Sequence, residues 1–93
     1  MMTEKITFGD VRHLLAEYEF NQVQVEGPYI VYKHEPSGAL QAFRAHRRAE
    51  LVDPMTLASV RKTLVEFGFL KEGEFEEAVR EAAVERKANA KGG

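Results

Sequence analysis

The sequence predicts an α+β fold in the order α-β-β-β-α, with a three-stranded antiparallel sheet and one further C-terminal helix. Three observations predict it. Two segments, from Thr7 and from Asp53, carry apolar residues at helical spacing. The residues between them alternate polar and apolar, or are rich in β-branched and aromatic types, as strands are. Short Gly/Pro-containing segments divide that stretch, and short connections make neighbouring strands antiparallel.

Each element has a local reason. Thr7 is an N-cap whose hydroxyl can accept from an early backbone N–H, and Asp10 in the first turn favours the positive helix end. Phe8, Val11, Leu14, Leu15 and Tyr18 form the apolar stripe, and the helix is expected to end near Phe20–Asn21. Residues 22–26 alternate, with Val23 and Val25 on one face. Gly27-Pro28 turns the chain, and 29–34 reads as the second strand. Glu35-Pro36-Ser37-Gly38 is a turn, because Pro presets φ and Gly allows φ > 0. Residues 40–45 form the third strand. Asp53-Pro54 opens the next helix, Leu57, Val60, Leu64 and Phe67 line it, and Gly68 closes it.

Residues 1–70 are expected to form the domain, with 71–93 as a C-terminal helix (about 74–87) and a frayed tail. The last helix has a thin, alanine-rich stripe of Phe75, Ala78, Val79 and Ala82, which suggests light docking or pairing with a second chain. The first two helices should lie on one face of the sheet, burying Leu14, Leu15, Val23, Ile30, Tyr32, Leu57, Val60 and Leu64 together. If Ile30 and Tyr32 point inward, Tyr29 and Val31 point outward. An outward apolar pair suggests a contact, although single exposed apolar residues are ordinary.

The chain has 93 residues, of which 44% are hydrophobic, enough for one small core. It has no cysteine, so disulfides and thiolate metal sites are excluded. Its histidines lack characteristic ligand spacing, and no phosphate loop, nucleophile elbow or dinucleotide fingerprint is present; neither a metal nor a cofactor is expected. The N-terminus lacks an apolar signal segment, and no apolar run reaches the roughly 20 residues that span a bilayer. A cytoplasmic protein without membrane contact is expected.

Net charge is −2, which argues against a strongly basic surface overall. Arg44, His46, Arg47 and Arg48 nevertheless cluster within five positions. They are either a phosphate-facing patch or a solvated loop. Among the histidines, His13 sits beside Leu14 on the first helix and reads as a surface or boundary residue. His34 and His46 are weak acid–base candidates: adjacent strand ends could in principle bring them together, but the preferred reading is that both are solvated turn residues.

The order of several residues also resembles the HicA toxin family, small bacterial ribonucleases with a fold like a double-stranded-RNA-binding domain. Gly27, Tyr32, Lys33-His34, a Pro36 displaced by one, His46, Leu51, Pro54, Thr56, Leu57 and Gly68 follow the family's pattern, over about 7–70. The resemblance breaks where the family has Gly-Ser-His, with the histidine held responsible for RNA cleavage. This chain has Gly27-Pro28-Tyr29. Imidazole moves protons near pH 6.5, whereas a phenol titrates at about 10. The resemblance therefore implies an RNA-binding domain with ribonuclease activity weak or lost and no confident catalytic residue. Lys33, Arg44, His46, Arg47, Arg48 and Arg61 would contact RNA, and Tyr29 would stack on a base. The other reading of the same scaffold is a protein-interaction module, binding a second copy or an antitoxin-like partner.

Overall fold

The computed structural model describes residues 5–44, 46–47 and 49–92. Its elements are α1 (Phe8–Glu17), β1 (Asn21–Val23), β2 (Tyr29–His34), β3 (Ala39–Arg44), α2 (Pro54–Glu66), a short 3-10 turn (Glu72–Glu74) and α3 (Phe75–Gly92). The sheet is antiparallel with order β1-β2-β3, so the expected α+β architecture is present. Among the described residues, no helix is long and apolar enough to cross a membrane.

Thr7 and Asp10 form a reciprocal capping box. The Asp10 N–H donates to Thr7 Oγ1 at 3.3 Å, and the Thr7 N–H donates to Asp10 Oδ2 at 3.0 Å. The helix ends at Glu17, three residues before the expected position, and the left-handed residue is Glu19 (φ 67°) rather than Asn21. That turn swings the chain back so that the Phe20 N–H donates to the Leu15 carbonyl at 3.0 Å. Phe20 is thereby buried, and Asn21 is released to begin β1.

Register decides which side chains enter the core. Ile30 pairs with Phe43, Tyr32 with Gln41 and His34 with Ala39. Directly paired residues share a sheet face. These six therefore face the helices, and along β3 buried Ala39, Gln41 and Phe43 alternate with exposed residues. β1 is offset from the expected arrangement: Val23 pairs with Val31, and Gln22 with Tyr32. Val23 therefore lies on the opposite face from Tyr32 and is only half-buried, a correction to the expected core. A one-residue change of register moves every side chain of a strand to the other face, and alternation alone does not fix it. Leu14, Leu15, Tyr32, Val60 and Leu64 are buried as expected, with Ile30 and Leu57 partly buried against them.

Both α1 and α2 reach the same sheet face. Phe8 packs edge-on to Phe43 at 5.7 Å between centroids. Arg12 Nε donates to the Tyr32 hydroxyl at 2.6 Å, and its Nη2 donates to Gln22 Oε1 at 3.1 Å. α2 docks through a buried polar group that the apolar pattern does not reveal. Gln41 Oε1 accepts from the Thr63 hydroxyl at 2.7 Å, and its Nε2 donates to Ser59 Oγ at 3.3 Å. A buried amide with both ends bonded avoids the cost of an unsatisfied one.

α3 does not dock lightly. It lies against α1 and buries Phe75, Val79 and Ala82 in the common core. It runs through Gly92, beyond the expected end near Lys87. Its stripe is thin, but a charged contact supplements it: Arg86 Nε donates to Asp10 Oδ1 at 2.7 Å, with Asp10 only 1% exposed.

Burial pushes the Asp10 carboxyl upward, but the Thr7 backbone, the Arg86 guanidinium and the Thr7 hydroxyl outweigh it, and the net shift is below the ordinary value of 3.8. A depressed folded-state pKa adds stability that is present above the unfolded value and lost as pH falls through the folded one. Asp10→Asn should cost about 1–3 kcal/mol at pH 7 in denaturant melts. The difference from wild type should shrink as pH falls below 3.8, as the wild-type carboxyl protonates. A pH-independent difference would contradict this role for the charge.

Candidate nucleic-acid interface

The sheet face turned away from the helices is built by the same register. Tyr29 pairs with Arg44, Val31 with Ala42, and Lys33 with Leu40. Val23 and Asn21 extend this face across β1. The strand residues on it include two cations, Lys33 and Arg44, and no carboxylate, although Lys33 Nζ lies 3.8 Å from Glu35 Oε1 in the following turn. Tyr29 is 50% exposed and Leu40 55%. The molecule is acidic in sum, yet this surface is apolar with a cationic border. Among the described residues, no helix covers it.

At the Tyr29–Arg44 end, the free edge of β3 borders a cleft of about 560 Å³. Tyr29, Ala42 and Arg44 form its sheet wall, and Glu50, Asp53 and Thr56 line it from the following loop and the first turn of α2. The loop is held there by backbone pairing with the chain before α1. The Phe8 N–H donates to the Glu50 carbonyl and the Val52 N–H to the Ile6 carbonyl, each at 2.9 Å. Asp53 caps α2 without a side-chain hydrogen bond, so its carboxylate is not spent on the helix. The cleft therefore has carboxylates, Glu50 and Asp53, on its loop and helix side and Arg44 on its sheet side.

His46 stands between cleft and core. Its ring stacks on Phe8 at 3.7 Å, tilted by 18°, and meets the edge of Phe43 at 5.8 Å. Nδ1 lies 2.7 Å from the Arg44 carbonyl, which can only accept, so Nδ1 carries the proton. Nε2 is buried without a hydrogen-bond partner among the described residues. The ring is held as an aromatic wall of the cleft.

His34 and His46 do not come together, in keeping with the preferred reading of the two as separate turn residues. His34 pairs with Ala39 at the turn end of the β2–β3 hairpin, whereas Arg44, two residues before His46, is at the other end. Five residues of strand separate the two ends, about 16 Å. His34 instead closes the turn: its Nδ1 accepts from the Ser37 N–H at 3.3 Å and contacts the Ser37 hydroxyl at 2.8 Å. Its ring packs edge-on to Phe69 at 4.7 Å.

The remaining expected RNA contacts divide. Tyr29, Lys33 and Arg44 share the open face. Arg47 is exposed beside the cleft, its backbone N–H donating to Glu50 Oε1 at 3.4 Å. Arg48 lies outside the described residues. Arg61 does not join them: it is on α2, in the helical layer, 3.6 Å from Glu72. His13 faces α3 from α1, with Nε2 at 3.7 Å from Glu17 Oε2 and 3.3 Å from Glu85 Oε1.

Comparison with protein-family models, with curated proteins and with solved structures finds no match. The site is therefore read from its own geometry.

That geometry makes a specific statement about His46. In its neutral ring the proton resides on Nδ1, and nitrogen-15 NMR of the imidazole should report that tautomer. Phe8→Ala, which removes the stacking partner, should let the ring exchange between tautomers. A neutral ring with its proton on Nε2 in the wild type would contradict the Arg44 carbonyl contact.

Proposed function

We propose that the protein binds single-stranded RNA on its open sheet face, as a HicA-like domain with little or no ribonuclease activity. One observation carries the reading: Tyr29 and Arg44 are cross-strand partners on an uncovered face whose strand residues include no carboxylate. An aromatic ring offers every base a stacking surface, and an adjacent arginine offers its phosphate a charge. Lys33, next but one along the strand register, extends the cationic border. The element order supports the same reading, because the resemblance implies this α-β-β-β-α scaffold.

Cleavage is not part of the proposal. Transfer of the RNA 2′-hydroxyl proton needs a group poised near neutral pH. Tyr29 occupies the position where the family has its histidine. His34 is engaged in the hairpin turn, and His46 is stacked against Phe8 with Nδ1 committed to a carbonyl. The RNA reading also places the protein in the cytoplasm.

A second reading has its own observation. Val23, Val31, Leu40 and Ala42 run together across the middle of the open face. A second copy of the chain or an antitoxin-like protein would find an apolar surface there.

Fluorescence anisotropy with short single-stranded RNA separates the two. On the RNA reading, Tyr29→Ala weakens binding by about 5- to 150-fold, the equivalent of roughly 1–3 kcal/mol for one stacked base. Arg44→Ala lowers the slope of log affinity against log salt by about 0.7, because one counterion-releasing contact is lost. Arg61→Ala changes neither, as its partner is Glu72. Undetectable binding at low salt, together with a stable dimer in sedimentation, would favour the protein-interaction reading.

A further inference from the structure

The sequence spacing of the histidines gave no reason to expect a metal, but folding brings three donors together from two helices. Asp10, His13 and Glu17 recur at i, i+3 and i+7, which places them along one side of α1. Asp10 holds Arg86 of α3, and the neighbouring residue, Glu85, is thereby brought to His13. The ligating atoms of His13, Glu17 and Glu85 all lie within 4.8 Å of one another.

The spacing is compatible with a shared ion. His13 Nε2 is 3.3 Å from Glu85 Oε1 and 3.7 Å from Glu17 Oε2. The first is a hydrogen bond somewhat longer than the usual N···O separation of about 2.9–3.0 Å, and the second lies beyond hydrogen-bond reach. Two donors bound tetrahedrally to zinc at about 2.0–2.2 Å would lie roughly 3.3–3.6 Å apart, so the His13–Glu85 separation falls in that range and the His13–Glu17 separation just beyond it. The two carboxylates also crowd each other. The Glu85 carboxylate beside it, with burial adding, pushes the Glu17 carboxyl above its usual range despite the opposing influence of His13; Glu81 adds to the rise. Hydrogen bonds with Glu17 and His13 hold Glu85 below its usual range. Two carboxylates this close repel each other when both are ionised, and a cation between them relieves that repulsion.

We infer that His13, Glu17 and Glu85 form a binding site for a divalent cation of the zinc, cobalt and nickel class. One imidazole and two carboxylates suit these borderline ions, and the imidazole sets the site apart from the all-oxygen sites of magnesium and calcium. Three protein ligands leave a fourth position for water or a ligand group. The ion joins α1 to α3 one turn beyond the Asp10–Arg86 contact, so it binds the folded chain in preference to the unfolded one. The inference is independent of RNA binding, because the site is on the helical layer and the open sheet face is on the other side.

The test uses the full chain, freed of metal with chelator and titrated with ZnCl2, CoCl2 or MgCl2. Zinc should bind with one-to-one stoichiometry in calorimetry and raise the melting temperature by about 5 °C or more at saturating concentration. Cobalt should give the visible absorption of a low-coordinate site. His13→Ala and Glu85→Gln should each weaken zinc binding by at least about 10–100-fold, the loss typical of supporting contacts alone. Glu85 is exposed, so its variant keeps the test decisive should His13→Ala unsettle α1. The double variant His34→Ala/His46→Ala should bind as the wild type does. Absence of zinc binding would overturn the inference. So would binding that survives His13→Ala and Glu85→Gln, that disappears in the His34/His46 variant, or that magnesium matches.

Discussion

One carboxylate, that of Asp10, holds the architecture in its present form. Oδ2 closes the N-terminus of α1 through the Thr7 N–H, and Oδ1 receives Arg86 from α3, 76 residues away. A buried carboxylate is costly unless each oxygen is bonded. Here both are, so the two contacts depend on each other. Removing either leaves the carboxylate partly unsatisfied, and the helix start and the α1–α3 pairing weaken together. The consequence for function is topological. α3 is committed to α1, Phe75, Val79 and Ala82 are used inside the chain, and the far face of the sheet is left uncovered.

The features legible in the sequence are those whose causes are local. Tyr29–His34 is a strand over the residues expected, because β-branched and aromatic residues there are bounded by turn chemistry. Thr7, Asp53-Pro54 and Gly68 stand at helix ends for reasons contained within one turn. The misreadings are non-local. Val23 was placed on the wrong face because its register is set by pairing with Val31, which periodicity does not encode. α3 looked weakly amphipathic because its docking rests partly on Arg86, a residue no apolar count includes. Gln41 was missed because a buried amide becomes intelligible only with Ser59 and Thr63 beside it.

The candidate site shows the same division. Tyr29, Lys33 and Arg44 could be named from composition and from the resemblance, but only register shows that they share one face. His34 and His46 are kept apart for a topological reason: β2 and β3 are antiparallel, so the end of β2 is opposite the start of β3, and His46 follows the far end of β3. The His13–Glu17–Glu85 cluster was invisible because its donors are 72 residues apart in sequence at the farthest. Net charge also misleads here. The acidic total comes largely from the helices and loops, whereas the strands of the open face contribute only cations.

The central claim is that the uncovered sheet face is the binding surface, and amide chemical-shift mapping tests it most directly. Short single-stranded RNA added to isotope-labelled protein should perturb Tyr29, Val31, Lys33, Ala42 and Arg44 first. Amides in the middle of α2 and along α3 should remain in place. Perturbations centred on Arg61 and the α2 surface, or on α3 with the strands silent, would contradict the account.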